Sequence, residues 1–150
     1  HTNDAASGFT RLLNWEVEPF LISSTVKGIL AQRLVRRICE ECKENYNAKN
    51  EELQMIGLTT KDKIKAYKGR GCLSCRNTGY KGRIGIYELL LMDADISELV
   101  LNQEPGYKIR EQARKNGMTT LLEDGIVKIE RGDTTISEIY ETLGTTKIIL

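Results

Sequence analysis

All four cysteines of this chain lie in two pairs of identical spacing, Cys39-x-x-Cys42 and Cys72-x-x-Cys75, with 29 residues between the pairs. A two-residue spacer lets one tight turn aim two thiolates at a single tetrahedral ion, at about 2.3 Å each. Glycines crowd the second pair, at Gly69, Gly71, Gly79 and Gly82, where a metal knuckle needs a sharp turn and N–H groups directed at sulfur. The gap exceeds the roughly 15–20 residues of a compact zinc ribbon, and an inserted helix accounts for the excess. Two disulfides require an oxidising compartment, which nothing in the sequence indicates. A thioredoxin-like couple uses one pair and leaves the other unexplained. Zinc therefore leads. Iron suits the same tetrahedral sulfur shell, and free or oxidised thiols remain the other alternative. Four thiolates close the coordination shell, so the expected role is structural and not hydrolytic.

The rest of the composition narrows the function. At 150 residues the chain can hold one ordinary domain or two small modules. Its 22 Lys and Arg against 21 Asp and Glu argue against a dedicated nucleic-acid binder, whose affinity rests on phosphate neutralisation. One basic cluster, Arg33, Arg36, Arg37 and Lys43, is interleaved with Glu40, Glu41 and Glu44 and reads as a solvated mixed-charge face. A zinc-ribbon module that binds nucleic acid or a protein partner is the rival reading. His1 is the only histidine, so no Ser-His-Asp or Cys-His arrangement is available away from the terminus. No G-x-x-x-x-G-K-[ST] phosphate loop occurs. The longest uncharged apolar run, residues 19–26, is too short to span a bilayer. The opening "HTNDAASGF" has neither a methionine nor a signal-peptide core. The expectation is a piece of a longer protein in a reducing cytosolic setting.

Periodicity predicts an α+β chain that is mostly helical. Residues 4–35 read as two amphipathic helical segments around "EVEPF", with Asp4 as N-cap, leading to a strand "RLVRRIC". Between the cysteine pairs, "NAKNEELQMIGLTTKDKIKAYK" reads as a short helix and then a loop. "RIGIYELLLM" reads as a strand paired with "RLVRRIC". The last third predicts a bundle of about four helices. They open on capping boxes at Asp95-x-x-Glu98, Thr120-x-x-Glu123 and Thr135-x-x-Glu138 and stop near Gly117, Gly132 and Gly144.

Taken in order, "HTNDAASGFTRLL…VEPFLISSTVKGILAQRLVRRICEEC" and "GCLSCRNTGYKGRIGIYELLLM" resemble the secretion ATPases that power type II secretion and type IV pilus assembly (the GspE/PilB type). The similarity covers residues 1–144, and the four cysteines match the assembly and secretion branch. It implies residues 1–38 as the end of a RecA-like ATPase core, 39–82 as a four-cysteine zinc module with an inserted helix, and 83–92 as a strand returning to the core. Residues 93–144 would then be a C-terminal helical subdomain and 145–150 a tail. It further implies a cytoplasmic homohexamer, peripheral at the inner membrane on a platform protein and without nucleic acid. ATP and Mg2+ would be used only by the full-length parent. His1 matches the start of the family's H-T-N-D box and is implied to lie near the nucleotide phosphates of the parent, while no catalytic residue is expected in this chain. Without a phosphate cradle the chain alone is expected to hydrolyse no ATP.

Overall fold

A computed structural model describes residues 3–62 and 64–144. His1 lies outside the described residues, as does the 145–150 tail. Seven α-helices are present among the described residues: α1 Ala6–Asn14, α2 Pro19–Thr25, α3 Asn50–Met55, α4 Ala94–Leu101, α5 Gly106–Lys115, α6 Leu121–Glu130 and α7 Ile136–Leu143. Four strands accompany them: β1 Gly28–Ile38, β2 Lys43–Tyr46, β3 Ala66–Gly69 and β4 Tyr80–Leu91. The α+β class is as expected. β1 pairs with β4, and β2 pairs separately with β3.

The chain divides into two compact units, each discontinuous in sequence. One comprises residues 3–32 with 87–121, and the other residues 33–86 with 122–144. The four helices of the last third are therefore shared between the units. In the first unit α1 packs on α5, α2 on α4, and α4 on α5. Its core is spaced as helices dictate: Ala6 and Phe9 on α1, Ile96 and Val100 on α4, and Ile109 and Ala113 on α5 are all buried. In the second unit α3 packs on α7, and the buried set includes Val35, Ile38, Leu53, Ile56, Ile129, Ile136 and Ile139.

Several boundaries differ from expectation for identifiable reasons. β1 begins at Gly28, not near Arg33, because the preceding helix cannot continue. Ser24 and Thr25 turn their hydroxyls back onto the carbonyls of Phe20 and Leu21, and hydroxyl and β-branched residues are weak helix formers. Ala31 and Val35 are buried on one side of the strand, and Ile38 is buried on the other at its end. The segment between the cysteine pairs is not just helix and loop. Besides α3 it forms a two-stranded antiparallel ladder, with Lys43 opposite Gly69 and Tyr46 opposite Ala66. "KENY" and "AYKG" are too short and polar to show strand alternation. α4 is capped by Asp93, whose Oδ1 accepts the Ile96 N–H at 2.9 Å, and not by Asp95 as the capping-box pattern predicts. Asp4 accepts the Ser7 N–H at 2.8 Å, as a capping residue does, although α1 starts at Ala6. Helices α5, α6 and α7 end just before Gly117, Gly132 and Gly144.

Two buried carboxylates tie distant segments together. Glu88 occupies an inward position of β4 between Ile86 and Leu90 and is only 1% exposed. Its Oε1 accepts the Ala5 N–H at 2.8 Å and its Oε2 the Leu121 N–H at 3.3 Å. In the other unit, Thr135 caps α7 by accepting the Glu138 N–H at 3.2 Å. The Glu138 carboxylate, instead of closing a capping box, takes the Arg36 backbone N–H at 2.7 Å and the Arg36 guanidinium. Glu138 thereby holds that guanidinium's pKa above its ordinary value. The same guanidinium lies 4.2 Å from the centre of the Tyr80 ring, whose hydroxyl meets Thr135 at 2.9 Å. Glu138→Ala is expected to lower stability by about 2 kcal/mol, because it strands a backbone N–H and frees Arg36. Chemical denaturation measures this directly, and a loss below about 0.5 kcal/mol would contradict the assignment.

Candidate metal centre

Local folding delivers each cysteine to one point. Cys39 follows the last residue of β1, and its N–H donates to Gly79 O at 2.9 Å. Cys42 precedes β2 and closes the first turn, its N–H meeting Cys39 O at 3.3 Å. The β2–β3 ladder then brings the chain back: Arg70 N–H donates to Cys42 O at 3.0 Å, which sets Cys72 beside the first pair despite the 29-residue insertion. A 3₁₀ turn, Leu73–Cys75, forms the second knuckle.

The four sulfurs lie within 4.8 Å of one another. Individual separations are 3.8 Å for Cys39–Cys72, 3.9 Å for Cys42–Cys75 and 3.7 Å for Cys72–Cys75. Four sulfurs at about 2.3 Å from a central zinc sit about 3.8 Å apart along each tetrahedron edge, so this set fits the ion. A disulfide at about 2.05 Å does not describe these separations, and all four cysteines are free. The donor set and its geometry therefore fit a structural zinc, which would cross-link the two knuckles.

Backbone donors complete the site. Gly71 N–H donates to Cys42 Sγ at 3.3 Å, and Cys72 N–H and Gly79 N–H donate to Cys75 Sγ at 3.2 and 3.3 Å. Such bonds orient the ligands and stabilise their thiolates. They also explain the glycines. A Cβ on Gly69 would stand 2.1 Å from Gly79 O, and Gly79 itself has φ +78°, so neither position takes a side chain without moving the knuckle.

The thiols are electrostatically unequal. Burial pushes Cys42 up to about 12, against the pull of the Gly71 N–H. Burial acts the same way on Cys75, but the N–H groups of Cys72 and Gly79 and the neighbouring thiols outweigh it and hold it at about 6. Cys75 is thus already a thiolate near neutral pH, while binding at Cys42 displaces a proton. Zinc affinity is expected to fall as the pH drops, and more steeply below about 6, where Cys75 too must lose a proton to bind. Chelator competition across pH reads the slope, and an unchanging slope would contradict the inequality.

The remaining sequence candidates separate clearly. Arg36 is engaged by Glu138. Arg37 and Lys43 both reach Glu40, at 3.1 and 2.7 Å, so three of the four cluster residues have a carboxylate partner. Sequence reasoning missed Glu88, and it placed Glu138 in a capping box where its carboxylate instead takes Arg36. The only signal for Glu88 was a carboxylate at an inward period-2 position of a strand. No helix among the described residues is long and apolar enough to cross a membrane.

Comparison with known proteins meets this geometry. The family model described as "Type II/IV secretion system protein" matches residues 1–141. The chain is 46% identical over 141 residues to a type IV pilus assembly ATPase, PilB, of Thermus thermophilus, covering 93% of this chain and 16% of that protein. It is 40% identical over 139 residues to the type II secretion system ATPase E of Vibrio cholerae, covering 93% and 27%. Against the type II secretion system protein E of Pseudomonas aeruginosa it is again 40% identical over 139 residues, covering 93% and 28%. The chain thus spans less than a third of the length of these relatives. On that match, the chain belongs to the type II/IV secretion system protein family.

Proposed function

We propose that this chain is the C-terminal, zinc-binding and helical region of a hexameric ATPase that couples ATP hydrolysis to pilin or pseudopilin assembly at the inner membrane. The family match across residues 1–141 carries the reading. Within it, residues 1–38 supply the end of a RecA-like core, 39–82 the zinc module, and 93–144 the helical tail. His1 is nucleotide-proximal only once the rest of the core is present. ATP and Mg2+ are bound by the full-length protein, which is cytoplasmic and docks on an inner-membrane platform protein. Cys39, Cys42, Cys72 and Cys75 hold a structural zinc and take no part in phosphoryl transfer.

The chain carries no phosphate-binding loop, and phosphoryl transfer depends on such a cradle with its Mg2+. The expected result is Mg2+-dependent ATP hydrolysis by the full-length protein and none by the chain alone, both assayed with zinc bound. Hydrolysis by the chain alone, or none by the full-length hexamer, would overturn the reading.

A further inference from the structure

The second knuckle displays chemistry that zinc retention does not require. Leu73, between Cys72 and Ser74, is 92% exposed. The loop around it is closed at its neck: Asn77 N–H donates to Cys72 O at 2.8 Å, and a Cβ on Gly71 would lie 3.0 Å from Asn77 O. Arg70 and Arg76 adjoin that neck and are exposed, and among the described residues neither has a carboxylate partner. A third cation reaches the apex, where Lys81 Nζ donates to Ser74 Oγ at 2.7 Å. One carboxylate is present: Glu41 accepts from Ser74 Oγ at 2.6 Å and lies 3.8 Å from Lys81. Residues 69–83 carry four cations and no acidic residue, in a chain whose net charge is only +1.

Backbone conformation adds a second observation. Arg76 and Asn77 have φ of +52° and +60°. Asparagine tolerates the left-handed region, whereas arginine is disfavoured there and glycine is the easy choice. The knuckle's hydrogen bonds to sulfur come from Gly71, Cys72 and Gly79, so the Arg76 side chain is not there for the metal. A side chain held in a disfavoured conformation at an exposed tip points to a use outside the fold.

We propose that loop 70–77 is a docking tip for an acidic protein segment: carboxylates pair with Arg70 and Arg76, and one apolar side chain covers Leu73. Charge complementarity favours a protein segment over the other anionic surfaces. A flat anionic bilayer pressed on the tip would also meet the exposed Glu41 carboxylate beside Ser74, which it repels, whereas a peptide can place its carboxylates on the arginines alone. Single-stranded nucleic acid binds by stacking on aromatic rings; loop 70–77 has none, and the first ring after it in sequence, Tyr80, already faces Arg36 at 4.2 Å. A small tip of this kind suits a weak, rapidly exchanging contact whose specificity is electrostatic.

The test titrates the zinc-loaded, isotope-labelled chain with a short synthetic peptide of glutamates around a central leucine, read by NMR. Expected are shifts confined to loop 70–77 and Lys81. Arg70→Glu with Arg76→Glu, or Leu73→Ser, should weaken binding roughly tenfold or more without loss of zinc. Arg76→Gly relieves the left-handed strain, so it should keep the zinc and still weaken the peptide. Shifts elsewhere, no shift at millimolar peptide, or wild-type binding by Arg76→Gly would overturn the proposal. So would preferential binding to phosphatidylglycerol vesicles or to oligouridine.

Discussion

Replacing Cys75 with serine is expected to lower zinc affinity at least about a hundredfold and to unfold residues 39–82 locally. Loss of an outer-shell partner alone typically costs tenfold to a hundredfold, and Cys75 is itself a ligand. It is also the thiol best prepared to bind, with two backbone N–H groups aimed at its sulfur. The rest of the module cannot compensate. Among the described residues between the knuckles only Leu53, Ile56 and Ala66 are buried, and the β2–β3 ladder pairs just four residues from each strand. A two-stranded ladder that buries so few residues of its own is marginal in water, so metal binding is expected to supply much of the folding free energy of the knuckles. Amide hydrogen exchange should therefore rise across 39–82 while residues 94–115 stay protected. Protection of 39–82 that survives the substitution would show that the module folds without its cross-link.

Glu88→Ala is the second large effect, and it acts in the other unit. The carboxylate is buried in a row of aliphatic side chains and takes the N–H groups of Ala5 and Leu121. Its removal leaves two buried donors without their acceptor, each costing about 1–3 kcal/mol, and opens a cavity. An overall loss of about 3 kcal/mol is expected, a large share of the 5–15 kcal/mol typical of a domain. Zinc content should stay unchanged, since no cysteine contacts Glu88. Glu88→Gln keeps one acceptor oxygen and should cost less. Denaturant titration with parallel zinc analysis separates the two effects, and equal stability of Glu88→Ala and the parent would refute the clamp.

The convergence of the four cysteines was legible in the sequence because its information is local. Each C-x-x-C turn needs only its own few residues, and the glycines that permit the knuckles lie within or next to them. The strands β1 and β4 were legible in part: their apolar alternation shows, but β1 also claims residues 28–32, which read as helix by apolar spacing alone. The β2–β3 ladder was not legible, since "KENY" and "AYKG" are too short and polar to show strand alternation. Glu88 was invisible, and Glu138 showed only as half of a capping box, for a related reason. A carboxylate is buried only when donors meet it, and theirs come from 83, 33 and 102 residues away. The capping box misplaced at Asp95 shows the limit of a short pattern where Asp93, two residues earlier, offers the same chemistry at the end of a strand.

We propose that Cys39, Cys42, Cys72 and Cys75 hold a structural zinc. Elemental analysis of the protein, purified under reducing conditions and compared with its four Cys→Ser variants, tests it most directly. One zinc per chain is predicted, lost in each variant together with the order of residues 39–82. A stoichiometry near zero with four freely reactive thiols, or iron in place of zinc, would contradict it.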